Sequence, residues 1–283
     1  MADTVFAAVP TPFTADGDLD HVAARRAFSY IASHVDGLFL AGSTGEFPAL
    51  DENERLSVIE LGIEAAGPER VIAHVGAPDA RHAARLATAA VLLGATRLAA
   101  VTPFYAAPSP AELADYYLRV RDAAPCAELY GYIFPERTGV TVPVTLLSSL
   151  AETAGLAGVK LSGTAARDVA AVAAACPALK VYSGDDTNLS AVLRAGGAGI
   201  ISARSAAYPE TYEALAAALA AGDAEAAASH QAGVDSIAAL GFSVGQVKAA
   251  LRQRGFGPMT ARMPSDEPDE ITAARISELV KSW

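Results

Sequence analysis

A lysine closes a short apolar run in Ala157-Gly158-Val159-Lys160-Leu161-Ser162-Gly163, just ahead of small polar residues. Lysine is scarce in this chain: Lys160, Lys180, Lys248 and Lys281 are the full set, and the other basic residues are arginines. An amine held between apolar walls gives up its proton more readily than one in water. The free amine can attack a carbonyl carbon and form a Schiff base, an electron sink for breaking or making the adjacent C–C bond. Arginine cannot replace it, because it stays protonated. Taken alone, a strand-end lysine more often snorkels to solvent. The scarcity of lysine and the company Lys160 keeps argue for chemistry.

That company is spread along the chain. Gly42-Ser43-Thr44-Gly45-Glu46 has glycines that allow close backbone approach, and its amides and two hydroxyls make a cradle for a carboxylate. It could equally be an ordinary polar turn, and it is not a nucleotide-binding loop, since no Gly-Lys-Ser/Thr follows. Tyr130 and Tyr132 share one face of a short apolar run, and either hydroxyl could relay protons or simply sit in the core. Asp185-Asp186 has no histidine near it in sequence, and His21, His34, His74, His82 and His230 are scattered. No His-x-His pair suggests a metal-dependent hydrolase, and no Gly-x-Ser-x-Gly suggests a serine nucleophile. His74, at the end of a short run, is expected to be structural.

Eight short β-like runs must position these groups: Val5–Val9, Gly37–Ala41, Val71–Val75, Arg97–Thr102, Glu128–Phe134, Gly158–Leu161, Lys180–Ser183 and Gly199–Ser202. Segments with apolar residues at helical spacing separate them, such as Val22, Phe28 and Ile31, then Leu56, Ile59 and Ile63. Asp20, Asp51 with Glu54, Ser109-Pro110 and Asp186 read as helix starts. Gly94, Gly155 and Gly197 read as helix stops. Alternation of this kind predicts a (β/α)8 TIM barrel over residues 1–204. An open doubly wound sheet would need a glycine-rich phosphate turn after the first strand, where this chain has Val9-Pro10-Thr11-Pro12-Phe13. Residues 205–283 predict helices with no strands between them, a C-terminal helical extension.

A (β/α)8 barrel carries its active site at the C-terminal ends of the strands. There the sequence puts Ser43, Thr44 and Gly45 after the second run, Tyr105 after the fourth, and Tyr132 on the fifth with Arg137 beyond it. Lys160 lies on the sixth, Asp185 and Asp186 after the seventh, and Ile201 on the eighth.

Composition narrows the class of function. At 283 residues with 52% hydrophobic content the chain can bury a large core. A net charge of −11 speaks against nucleic acid or an anionic membrane as the main partner. No basic-then-apolar leader is evident in the first residues, and the longest apolar run, Leu86–Val101, is broken by Gly94 and Arg97. Cys126 and Cys176 lack metal-ligand spacing and are expected to be small buried residues in a reducing cytoplasm.

Taken in order, Val-Pro-Thr-Pro-Phe, Gly-Ser-Thr-Gly-Glu-Phe-Pro-Ala-Leu, Val-Thr-Pro-Phe-Tyr, Tyr-x-x-Pro-x-Arg-Thr-Gly, Gly-Val-Lys and Ser-Gly-Asp-Asp make the chain resemble one family. It is that of the dihydrodipicolinate synthases and N-acetylneuraminate lyases, metal-independent class I aldolases that act through a pyruvate imine. The resemblance implies that Lys160 forms the imine with pyruvate or another 2-oxo acid, with no other cofactor. It implies that Tyr132, three residues before Pro135, is the proton-shuttling tyrosine. Ser43, Thr44 and Gly45 would hold the carboxylate, and Thr44 or Ser43 with Tyr105 would complete a relay. Arg137 and Ile201 would line the substrate's path. In many members the residue matching Tyr105 reaches in from a neighbouring subunit, which implies a homodimer or homotetramer.

Departures from the pattern bear on substrate. Lysine-pathway synthases usually have Tyr-Asn-Val-Pro where this chain has Tyr132-Ile133-Phe134-Pro135, and Glu-Ala after the lysine where it has Leu161-Ser162. They usually carry an Asn-Pro segment where it has Gly241-Phe242-Ser243-Val244. Ser43 and Phe47 suit the lyase and sugar-acid aldolase branches, whereas Arg137 suits the synthases. The expectation is an aldolase or lyase acting on a 2-keto-3-deoxy sugar acid. The alternatives are a 4-hydroxy-tetrahydrodipicolinate synthase condensing pyruvate with aspartate semialdehyde, and a non-catalytic small-acid binding protein on the same barrel.

Overall fold

Short runs of small and branched apolar residues cannot leave either face in water, so they become strands buried on both sides. The structure, a computed structural model, describes residues 3–281. Its strands are β1 (Val5–Ala8), β2 (Gly37–Leu40), β3 (Val71–His74), β4 (Arg97–Val101), β5 (Glu128–Ile133), β6 (Gly158–Leu161), β7 (Lys180–Ser183) and β8 (Gly199–Ser202). In that order they close into a parallel barrel, the (β/α)8 architecture expected from the alternation. All residues of β1, β2, β3, β6 and β8 are buried.

Between and after the strands run α1 (His21–Ala32), α2 (Glu52–Ala66), α3 (Ala80–Leu92), α4 (Pro110–Ala123), α5 (Pro135–Thr138), α6 (Val144–Ala154), α7 (Val169–Ala175) and α8 (Leu189–Arg194). The chain continues through α9 (Arg204–Ala207), α10 (Pro209–Ala221), α11 (Ala224–Ala238), α12 (Val244–Gln253) and α13 (Glu270–Lys281), with no strand among them. Two units form by contact. One contains β3 to β8 up to Ile201, and the other contains β1, β2, α1, α2 and the chain from Ser202 onward. None of the described helices is long and apolar enough to cross a membrane.

Local signals account for most boundaries. Asp20 caps α1 by accepting from the Ala23 amide, and Asp51 and Glu54 form a reciprocal capping box on α2. Ser109 and Glu112 do the same for α4, with Pro110 as its first residue. Two signals misled. Asn188, not Asp186, caps α8, because its side chain reaches the Ala191 amide while Asp186 is buried. Gly196, not Gly197, takes the left-handed conformation beyond α8, with φ 82°.

Two helix faces are also rotated from expectation. Val22 is exposed, and α1 buries Ala24, Ala27, Phe28 and Ile31 instead, because Val22 and Phe28 lie six residues apart and cannot share a face. In α2 the buried row includes Arg55, Val58, Ile59 and Gly62. A Cβ on Gly62 would come within 2.1 Å of a Leu40 methyl, so the helix approaches β2 at its smallest residue. The cysteines differ too: Cys126 is exposed, and Cys176 is half-buried with Sγ 3.1 Å from the Ser148 hydroxyl.

Removing the Ser109 hydroxyl leaves first-turn amides of α4 without their cap. Ser109→Ala should therefore lower stability by about 1 kcal/mol, read from urea unfolding, whereas Ser109→Asp should hold most of it. Equal midpoints for all three proteins would contradict this account of the helix start.

Candidate active site

Lys160 is the penultimate residue of β6, between Val159 and Leu161, which are buried with it. In register, Lys160 lies opposite Tyr132 of β5 and Tyr182 of β7. The lysine is only 5% exposed, and its Nζ stands 4.5 Å from the centroid of the Tyr132 ring. Burial pulls the ammonium's pKa down from 10.5 to about 7, and the negative charge of buried Asp186 partly opposes that fall. At neutral pH a substantial fraction of this amine is therefore free base, which an ordinary surface lysine is not.

Tyr132 is itself buried, with Phe134 tilted against it at 6.1 Å and His74 edge-on at 6.0 Å. His74, at the end of β3, is fully buried and its Nε2 accepts from the Val101 amide at 3.3 Å, a structural bond to the neighbouring strand. Tyr130 occupies a different layer. Its hydroxyl donates to Glu128 at 2.8 Å, and burial together with that carboxylate raises its pKa. A Cβ on Gly158 would lie 2.4 Å from the Tyr130 ring, so the glycine opening β6 makes room for it. Tyr130 thus packs two residues below Lys160, while Tyr132 packs beside it.

The other groups at these strand ends have distinct settings. Tyr116 and Tyr117 of α4 donate to the carbonyls of Val101 and Ala100, both at 3.1 Å, which pins the end of β4. Just beyond, Tyr105 has φ 76° and a relative exposure of 103%, so its ring projects wholly into solvent. Arg137 is exposed on α5, with its guanidinium 5.9 Å from the Phe134 ring centroid. Ile201 is buried in β8. Asp185 closes a tight turn by accepting from Thr187, while Asp186 turns inward. Sequence reasoning weighed Asp186 as a helix start and as a metal ligand and missed its charge on Lys160, which depends on burial rather than on a histidine neighbour.

Past β2, the Gly42–Phe47 turn is closed by Glu46 N–H donating to Ser43 at 3.1 Å and Phe47 N–H donating to Gly42 at 3.3 Å. Thr11 Oγ1 donates to the Gly45 carbonyl at 2.7 Å. A side chain at Gly42 would meet the Phe39 ring at 2.5 Å, and one at Gly45 would crowd the Val9 carbonyl at 3.3 Å. Thr44 is buried and Ser43 half-buried. A turn so packed presents hydroxyls and amides from a fixed backbone, which suits an anion of defined shape.

The lysine shift has a sign that stability can read. The folded pKa lies below the unfolded one, so keeping this lysine destabilises the fold at any pH where the unfolded chain holds the proton. The penalty is complete below about 7 and fades as pH rises towards 10.5. Lys160→Met should therefore be more stable than the parent at neutral pH, with an advantage that shrinks steadily across that interval in urea titrations. An advantage independent of pH would mean that the amine is not desolvated.

The chain matches the Dihydrodipicolinate synthetase family over residues 1–282. An uncharacterized DapA-like lyase of Halobacterium salinarum is 35% identical over 94% of this chain and 89% of its own length. A 4-hydroxy-tetrahydrodipicolinate synthase of Mycolicibacterium paratuberculosis is 34% identical over 95% and 92%. Among solved structures, YagE of E. coli K12 in complex with pyruvate superposes with a TM-score of 0.90 at 27% identity, covering 99% of this chain and 98% of that one. A Ruminococcus gnavus sialic acid aldolase shares the fold with a TM-score of 0.90 at 22% identity, over 99% and 95%. A buried amine beside a tyrosine at the end of a barrel strand, and likeness along nearly the whole chain, lead to one conclusion: the chain belongs to the dihydrodipicolinate synthetase family and is a lyase, a class I aldolase that works through a lysine Schiff base.

Proposed function

We propose that Lys160 is the imine-forming lysine of a pyruvate-dependent aldolase whose natural substrate is a 2-keto-3-deoxy sugar acid. The observation that carries this is the desolvated amine at the end of β6, 4.5 Å from the Tyr132 ring. The free amine adds to the C2 carbonyl of the 2-oxo acid to give a carbinolamine, which loses water to form the imine. Tyr132 gives a proton to the departing hydroxyl and accepts one in the reverse direction. The protonated imine withdraws electrons from the C3–C4 bond, which breaks as the C4 hydroxyl gives its proton to the Tyr132 oxygen, releasing the aldehyde and leaving an enamine. Protonation at C3 and addition of water then return pyruvate and the free lysine.

In this reading Ser43, Thr44 and Gly45 receive the carboxylate, and Arg137 and Ile201 line the substrate's path. Support comes from the order of motifs shared with the family and from the packed turn that holds Ser43, Thr44 and Gly45. Tyr105 completes the relay in the site of a neighbouring subunit, a role in keeping with its outward projection and left-handed backbone. Free cysteines fit a reducing cytoplasm. The sugar-acid branch is favoured by Ser43, Phe47 and the Leu161-Ser162 pair after the lysine. The likeness to named 4-hydroxy-tetrahydrodipicolinate synthases favours the second reading, condensation of pyruvate with aspartate semialdehyde.

Borohydride reduction in the presence of pyruvate should leave one three-carbon adduct, located on Lys160 by peptide mass spectrometry. Pyruvate binding without any adduct would favour a non-catalytic binding protein. Lys160→Arg should fold normally and lose turnover. Tyr132→Phe should still be trapped, with kcat reduced by roughly two to four orders of magnitude. Pyruvate release from a panel of 2-keto-3-deoxy sugar acids, set against consumption with aspartate semialdehyde, decides between the two readings. Turnover confined to the semialdehyde would exclude the sugar-acid assignment.

A further inference from the structure

The other fully buried lysine lies far along the sequence from Lys160, under the turn that follows β2. Lys248 of α12 is 0% exposed and Glu46 only 1%. Their side chains form a direct ion pair through Glu46 Oε1. Glu46 Oε2 accepts from the backbone amides of Arg262 at 2.8 Å and Met263 at 2.6 Å. Lys248 Nζ also donates to the Thr260 carbonyl at 2.7 Å and stands 4.4 Å from the Phe13 ring centroid. Three stretches distant in sequence thus converge on one carboxylate: the turn after β2, helix α12 and the loop at 260–263.

The same loop is fastened again through Arg262. Its guanidinium donates to both carboxylate oxygens of Glu54, at 2.7 and 2.6 Å, and to the carbonyls of Gly17 at 2.7 Å and Ala49 at 3.0 Å. It also lies 4.3 Å from the Phe13 ring centroid. Ala49 and Glu54 follow the Gly42–Phe47 turn in the chain, so the 260–263 loop grips that turn and its exit together.

A buried ion pair is weak as a source of stability, because desolvating both charges offsets their attraction. Its value here is conformational. Glu46 has φ 57° and Ala41 φ 51°, left-handed backbone at two residues that carry a Cβ, flanking Ser43 and Thr44. Such residues persist only where their surroundings dictate them. The chain writes Glu46 at a strained position and then directs an ammonium and two amides at its side chain.

We propose that Glu46 is a positioning residue whose bonds to Lys248, Arg262 and Met263 hold the Ser43–Thr44 backbone in the geometry that receives the substrate carboxylate. The C-terminal segment then sets affinity for the 2-oxo acid without touching it. This rests on the reading of the Ser43–Thr44 turn as the carboxylate site.

The test pairs Glu46→Gln with Lys248→Met, so that no lone charge stays buried. The double variant should fold, by circular dichroism, and still be trapped by borohydride on Lys160 at saturating pyruvate. Its KM for pyruvate should rise by about tenfold or more while kcat stays within about threefold, the pattern of lost ground-state binding. A variant that only loses folded molecules would show the opposite, a lower kcat at unchanged KM, and that result would overturn the proposal. Lys248→Met alone leaves Glu46 its two amide donors and should raise KM less; it carries the same test if the double variant does not fold. Trapping of the parent protein combined with an unshifted KM in the variants overturns this proposal alone. Absence of trapping in the parent overturns the imine reading, and this proposal with it.

Discussion

A primary amine taken out of water at the end of β6 is the constraint on which the rest of this protein depends. Lysine keeps its proton in solvent up to a pKa near 10.5, and only burial brings it to about 7. That burial needs a wall of apolar side chains around a polar tip, which a closed barrel of short strands supplies. It also needs a neighbour that tolerates either charge state. The face of Tyr132 does so, being attracted to an ammonium yet able to pack against a neutral amine. The charge of Asp186 opposes the fall that burial imposes.

The two buried lysines show how surroundings assign opposite roles to one residue type. Burial lowers the pKa of both. Lys248 meets Glu46 and the Thr260 carbonyl directly and serves as a fastener, with Glu46 opposing the fall in its pKa that burial imposes. Asp186 acts on Lys160 through its charge, and Lys160 packs against an aromatic face. One lysine ties the C-terminal segment to the turn after β2. The other is left with a proton it can lose.

Much of this was legible in the residue order. The eight strands fall within a residue of the runs of small and branched apolar side chains, because such runs can be satisfied only by burial on both faces. Caps at Asp20, Asp51 and Ser109 were readable because they are local, a side chain bonding an amide three residues on. The errors came where a local signal had a rival. Asp186 looks like a cap but is drawn inward, and Asn188 two residues later takes the role. Val22 looks like part of an apolar stripe, but it falls on the wrong face of α1.

The sequence by itself determined the alternation that makes a barrel, the residue types at each strand end and the resemblance that names their chemistry. These depend on periodicity and on short motifs, which survive without knowing what touches what. Tertiary structure alone decided the state of each charge. It set Lys160 beside Tyr132 and left Tyr130 bonded to Glu128, although both tyrosines share one face of β5. It brought Lys248 to Glu46 across some two hundred residues. The physical reason is that a pKa and an ion pair depend on distance and desolvation, and both come from the packing of segments that sequence keeps far apart.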